Sequence, residues 1–232
     1  MTNRNAARVA GVLFFCATVP FSVSVILLAP ILGSSEYLTE VAFHSARVSA
    51  GAMLEVVNHI VVVCIAVVLY PILRPISARL ALGYVAARSI EAVLFVIGTM
   101  QLWVLVDVSE KFVAAGTPTD SYFQTLGDVL LAGHDWDDAA LAFTAFSIGA
   151  LILNIVLYKA RLVPRWLSIW GLAGAASILV SRLIVMSGVA LSSSATTAFD
   201  TPIMLQELVF ALWLVFKGFD EKRLQPEYRS NL

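Results

Sequence analysis

Glu55, Asn58 and His59 stand inside a long apolar run, at i, i+3 and i+4, which puts them on one face of a helix. A carboxylate, an amide and an imidazole so placed can trade protons, provided something shields them from lipid. An Asp, Lys or Arg at the centre of a membrane helix costs roughly 2.5–3.5 kcal/mol on insertion scales, so each such group must face a partner or water. Later runs supply the candidates. Arg88 and Glu91 are i, i+3, with Phe95 on the same face. Arg182 lies beside Ser181, and Gln206 and Glu207 fall in the last run. The charges nearly balance. They lead us to expect Arg88 to pair with Glu91 or Glu55, and Arg182 with Glu207, leaving one carboxylate over as a general acid. In that reading Glu55 and Glu207 are the acid and its partner, and His59 and Glu91 share the proton traffic. Asn58, Arg88, Arg182 and Gln206 bind the substrate, and Arg88 and Arg182 also set the charge of the two acids. Phe95, Phe210 and Trp213 wall the cavity and stabilise a cationic intermediate.

These residues need helices to hold them. The chain has 232 residues, 59% hydrophobic and 13% charged, with a mean hydropathy of +0.87. Soluble domains carry about 25% charged residues, so this is the composition of an integral membrane protein. Six runs reach the roughly 20 residues needed to cross: about 8–32, 50–72, 80–107, 139–160, 166–191 and 201–219. The first is too long for a signal peptide and is read as a retained helix. The fold expected is all-α, one transmembrane domain over 1–232, a six-helix bundle. Residues near 119–131 have the pattern of a short helix lying on the outer surface. Eleven of the fifteen Lys and Arg residues flank the runs on one side and two on the other, with Arg88 and Arg182 inside them. That bias places both termini in the cytoplasm, with the chain in the cell (inner) membrane.

With this orientation Glu55, Asn58 and His59 form one wall of a polar site in the outer half of the membrane. Arg182 and Glu207 should face them, with Arg88 and Glu91 just beneath. The cysteines, Cys16 and Cys64, fall within apolar runs and read as small core residues. A net charge of −1 gives no reason to expect nucleic acid. Membrane lipid and a lipophilic small molecule are the expected partners. No His-Glu-x-x-His, Gly-rich phosphate loop or Gly-x-Ser-x-Gly elbow is present, and no cofactor is expected. A weak metal candidate is His134-Asp135-Trp136-Asp137-Asp138, joined by His44 or Asp200. The simpler reading is that its aspartates cap a helix N-terminus.

Several motifs carry a resemblance over nearly the whole chain. They are Arg88-x-x-Glu91-Ala92, then Leu157-Tyr-x-x-x-Leu-Val-Pro-Arg-Trp-Leu-x-x-x-Gly171, then His134-Asp135-Trp136, and Pro202…Glu207-Leu…Leu212-Trp-Leu-x-x-Lys-Gly218. Together they resemble a bacterial six-helix membrane family, domain of unknown function 4386. The resemblance implies the same topology. It also implies that Arg88, Glu91, His134, Asp135 and Glu207 belong to a shared pattern.

The first function expected is an intramembrane enzyme that uses buried carboxylates for acid–base chemistry on a lipophilic substrate, an isoprenoid cyclase or isomerase being the nearest analogy of site chemistry. A small proton-coupled transporter or channel is the second. A non-catalytic sensor or assembly module, its charges fully paired, is the third.

Overall fold

The computed structural model describes residues 3–118, 122–135 and 140–224. Among these the chain forms eight α-helices, one short 3₁₀ turn and no strand. The helices are α1 (Asn3–Leu32), α2 (Tyr37–Phe43), α3 (Ser45–Leu73), α4 (Ala78–Ala114), α5 (Tyr122–His134), α6 (Ala140–Ala160), α7 (Arg165–Met186) and α8 (Ser193–Phe216). Six of them, all but α2 and α5, are long and apolar enough to cross a membrane. The protein is a multi-pass membrane protein.

The middle stretches of α3 and α4 are apolar on one side and carry ionisable residues on the other. On α3 the exposed residues Met53, Val57, Ile60, Cys64 and Val67 recur every three or four positions. That is one helical stripe, and it faces where lipid would be. Glu55, His59, Ile65 and Leu69 occupy the buried face. α4 repeats the pattern, with Ile90, Val93, Ile97 and Met100 outward and Tyr84, Arg88, Glu91 and Thr99 inward. Cys16 and Cys64 are exposed rather than core, because each falls on an outward stripe.

Helix ends differ from the apolar runs where capping outweighs hydropathy. α7 stops at Met186, where Ser187 caps it and Gly188 takes a φ of 89°, so the apolar residues beyond do not extend it. α8 begins at Ser193 rather than near 201, because the Ser192 hydroxyl accepts the Ala195 N–H. The stretch 33–49, between the first two apolar runs, contains α2 and the first turn of α3.

The chain divides into two compact units. One comprises Met1–Cys16, Val61–Ala92 and Ala140–Leu232. Here α7 packs between α6 and α8. Close approach is permitted by glycine: a Cβ on Gly174 would lie 2.9 Å from the Ile203 nitrogen, and one on Gly11 2.8 Å from the Ala211 carbonyl oxygen. The other unit comprises Ala17–Ile60 and Val93–Ala139. Its apolar core includes Leu28, Val48, Leu102, Leu105, Phe112 and Phe123. α5 joins it as a surface helix that buries Phe123, Gly127, Leu130 and His134 and leaves Tyr122, Leu126 and Val129 exposed. Tyr37 on α2 donates to Asp128 Oδ1 at 2.6 Å, over the space Gly127 leaves open. Burial, and then the Asp128 carboxylate, push the Tyr37 hydroxyl above its ordinary pKa.

Candidate functional site

Glu55 is 0% exposed, yet both oxygens of its carboxyl group meet polar side chains. Ser24 on α1 donates to Oε1 at 3.1 Å, and Thr99 on α4 donates to Oε2 at 2.8 Å. His134, the last residue of α5, brings Nε2 to 3.2 Å from both oxygens. His59 sits one turn along α3 from Glu55, with Nε2 at 3.1 Å from the Thr99 hydroxyl. An N–H at that nitrogen donates to Thr99, which in turn donates to Glu55. The result is a continuous path, His59–Thr99–Glu55–His134, through four side chains of one unit. Phe95 lies parallel to the His59 ring, 5.4 Å between centroids and 6° between planes. Asn58 turns aside and donates to the Ala17 carbonyl of α1 at 2.9 Å.

α5 is what makes this site. Gly98 and Gly133 let α4 and α5 approach, since a Cβ on Gly98 would lie 3.3 Å from the Gly133 carbonyl oxygen. His134 follows directly and turns inward. Within the motif His134-Asp135, His134 therefore serves as a partner to the buried acid. Among the described residues no group of three His, Cys, Asp or Glu gathers to hold a metal. Trp136, Asp137 and Asp138 lie outside the described residues.

The other sequence-predicted residues belong to the first unit, Met1–Cys16, Val61–Ala92 and Ala140–Leu232. Arg88 meets Glu91 at 3.1 Å, one of the two pairings expected, and its guanidinium lies 5.1 Å from the Phe146 ring centroid. Gly149 leaves the room that the Arg88 side chain fills. Arg88, Tyr84, Asn154, Gln206, Glu207 and Phe210 line a space of about 10 Å³, room for one water. Gln206 donates to the Leu167 carbonyl at 3.3 Å. Asn154 donates to Ala150, and its amide occupies the position of the Cβ that Gly171 lacks.

Arg182 corrects an expectation. Its partner is Asp200, at 2.6 Å, and not Glu207. The guanidinium also lies 4.3 Å from the Phe143 centroid. Trp213 lines a groove at the α6–α7 turn with Arg161, Pro164, Arg165 and Lys217. Ser24, Thr99 and Asp200 are partners that the sequence does not single out. Ser and Thr are ordinary in apolar helices, and Asp200 stood just outside the last apolar run.

The chain matches a family described as Domain of unknown function (DUF4386) over residues 9–218. It belongs to that family. An uncharacterized protein of Archaeoglobus fulgidus is 26% identical over 156 residues, 67% of this chain and 76% of that protein. No solved structure matches. The DUF4386 motifs noted in the sequence are spread over both units: His134 at the Glu55 site, and Arg88, Glu91, Gly171 and Glu207 in the other.

Proposed function

We propose that this protein is an intramembrane enzyme whose Glu55 site performs general acid–base chemistry on a lipophilic substrate. One observation carries the reading: a fully buried carboxylate touches one imidazole directly and a second through a single hydroxyl. Acid–base catalysis needs a group that gives a proton and a group that takes one, held at hydrogen-bond distance in a water-poor site. Glu55 is the acid. His134 is the adjacent partner, in the role first assigned to Glu207. His59 resupplies or withdraws the proton through Thr99, and Phe95 holds the His59 ring in its plane.

Such a site suits a redox-neutral rearrangement of an isoprenoid-like chain. The acid adds a proton to a double bond, and a base removes one from a neighbouring carbon. Isomerisation and cyclisation both have this balance, and an aromatic wall favours the cation between the two steps. The substrate enters from lipid. We further propose that the protein resides in the cell membrane with both termini cytoplasmic, on the strength of the Lys and Arg bias. The test is lipid profiling of membranes carrying the wild-type protein, Glu55→Gln or no protein. Turnover gives a lipid species present with wild type and absent in the other two. Identical profiles with all three sink the reading.

The uninterrupted His59–Thr99–Glu55–His134 path also favours a second reading, a proton relay for transport. Proteoliposomes that acidify with wild type but not with Glu55→Gln, without any change in lipid, identify that case.

A further inference from the structure

The groove where the α6–α7 turn meets the end of α8 takes no part in the acid–base reading. Its volume is about 420 Å³, and three cations line it: Arg161, Arg165 and Lys217. All three are exposed. Among the described residues none has an acidic partner. Arg165 lies 5.3 Å over the Tyr158 ring. Asp220, the acid in the groove, accepts the Lys222 N–H at 3.1 Å and faces Arg223 at 3.8 Å. Three like charges share one concavity with a single described acid, Asp220, whose bonds go to Lys222 and Arg223.

The backbone holds them there. Arg161 takes a φ of 52°, a left-handed conformation that few residues with a Cβ adopt. Leu162 donates back to the Leu157 carbonyl at 3.2 Å, and its own carbonyl accepts the Asp220 N–H at 3.0 Å. That second bond ties the end of α8 to the turn, while Gly218 bends the chain at a φ of 75°. α7 starts after Pro164 with no side-chain cap, so the positive end of its dipole opens on the same turn. The turn between α3 and α4 offers a contrast. Its groove, about 380 Å³, is lined by Tyr70, Pro71, Arg74, Pro75 and Ala78, with one cation. A basic bias among loops accounts for a scatter of charges. It does not account for a pinned turn and helix end that gather three of them in one groove.

We propose that this groove binds a phosphate-bearing anion. Arg161 and Arg165 supply forked donors to the phosphate oxygens, Lys217 adds a third charge, and Trp213 gives an apolar wall for what the phosphate is attached to. Membrane headgroups present that chemistry at the depth where a spanning helix ends. Exposed Trp166, the residue after Arg165, is an amphipathic ring of the kind found at that depth.

The test uses the full-length protein in neutral detergent, with phosphatidylglycerol, phosphatidylcholine or inorganic phosphate added, read by native mass spectrometry and heat stability. Wild type should retain phosphatidylglycerol over phosphatidylcholine. Each cation removed should weaken that retention about five-fold, the weight of one basic side chain at an anionic surface. Arg165→Gln/Lys217→Gln should therefore lose about 25-fold, and Arg74→Gln should match wild type. Stabilisation by phosphatidylglycerol alone identifies a lipid headgroup, and equal stabilisation by inorganic phosphate identifies a soluble source. If the double variant elutes as an aggregate, Arg161→Gln alone repeats the measurement. Retention by the groove variants equal to that of Arg74→Gln overturns the proposal.

Discussion

The Glu55 site stands or falls on single side chains. Thr99 is its joint, since its hydroxyl reaches His59, Glu55 and the Phe95 carbonyl within 3.1 Å. Thr99→Val keeps the shape and removes the hydroxyl. It should destabilise the protein by about 1–3 kcal/mol, because Glu55 loses a buried donor, while Thr99→Ser should restore most of that stability. Thermal unfolding in detergent reads both. Arg182 is 1% exposed and relies on Asp200. Asp200→Asn removes that counter-charge and should cost about 3–5 kcal/mol. Glu55, His59, Arg88, Glu91 and Arg182 were legible in the sequence because an ionisable group in an apolar run must have a reason to be there. Their partners were less so. Thr99 and Ser24 are hidden because a hydroxyl in a helix can satisfy itself on the preceding turn, as Thr99 also does at Phe95. Asp200 was missed as the partner of Arg182 because the apolar run starts after it. The helix itself starts earlier, at Ser193, and so carries Asp200 on its second turn.

At the scale of elements, glycine contacts decide how the helices approach. Gly171 and Gly174 lie three apart on α7 but meet different obstacles. A methyl on Gly171 would overlap the Asn154 side-chain amide, whereas one on Gly174 meets the backbone of Ile203. Both alanine variants should lose about 1–3 kcal/mol from overpacking. Trimming Asn154 to Ala should rescue Gly171→Ala and leave Gly174→Ala unrelieved, which a four-variant unfolding series would show. The α2–α5 joint makes a pH prediction. The Tyr37 hydroxyl ionises less readily folded than unfolded, so its contribution is complete below about pH 10 and falls as pH rises beyond that. Melting at pH 9 and pH 11 should show a drop for wild type that is smaller in Tyr37→Phe. The spanning helices were readable from hydropathy alone. Their ends were not, because Ser192, Ser187 and Gly188 set them through local hydrogen bonds and backbone conformation. α5 was readable as a surface helix. That it delivers His134 to Glu55 was not, because 79 residues separate them in sequence.

For the whole molecule, the sequence already contained the membrane class, the all-α architecture and the family. Composition and six apolar runs suffice for the first two, since only helices and closed barrels satisfy their backbones in lipid. The side of the membrane is a further prediction. A green fluorescent protein fused at the C-terminus should fluoresce in cells, and alkaline phosphatase at the same point should stay inactive; the opposite pair reverses the orientation. The central claim is that the polar interior does chemistry rather than only holding helices together. Purified protein, incubated with a bacterial lipid extract in deuterium oxide, tests it most directly. If Glu55 protonates a lipid carbon, wild type should produce a lipid species carrying solvent deuterium on carbon, and Glu55→Gln should produce none while melting as a folded protein. Deuterium incorporation that is the same with wild type, Glu55→Gln and no protein would contradict the account.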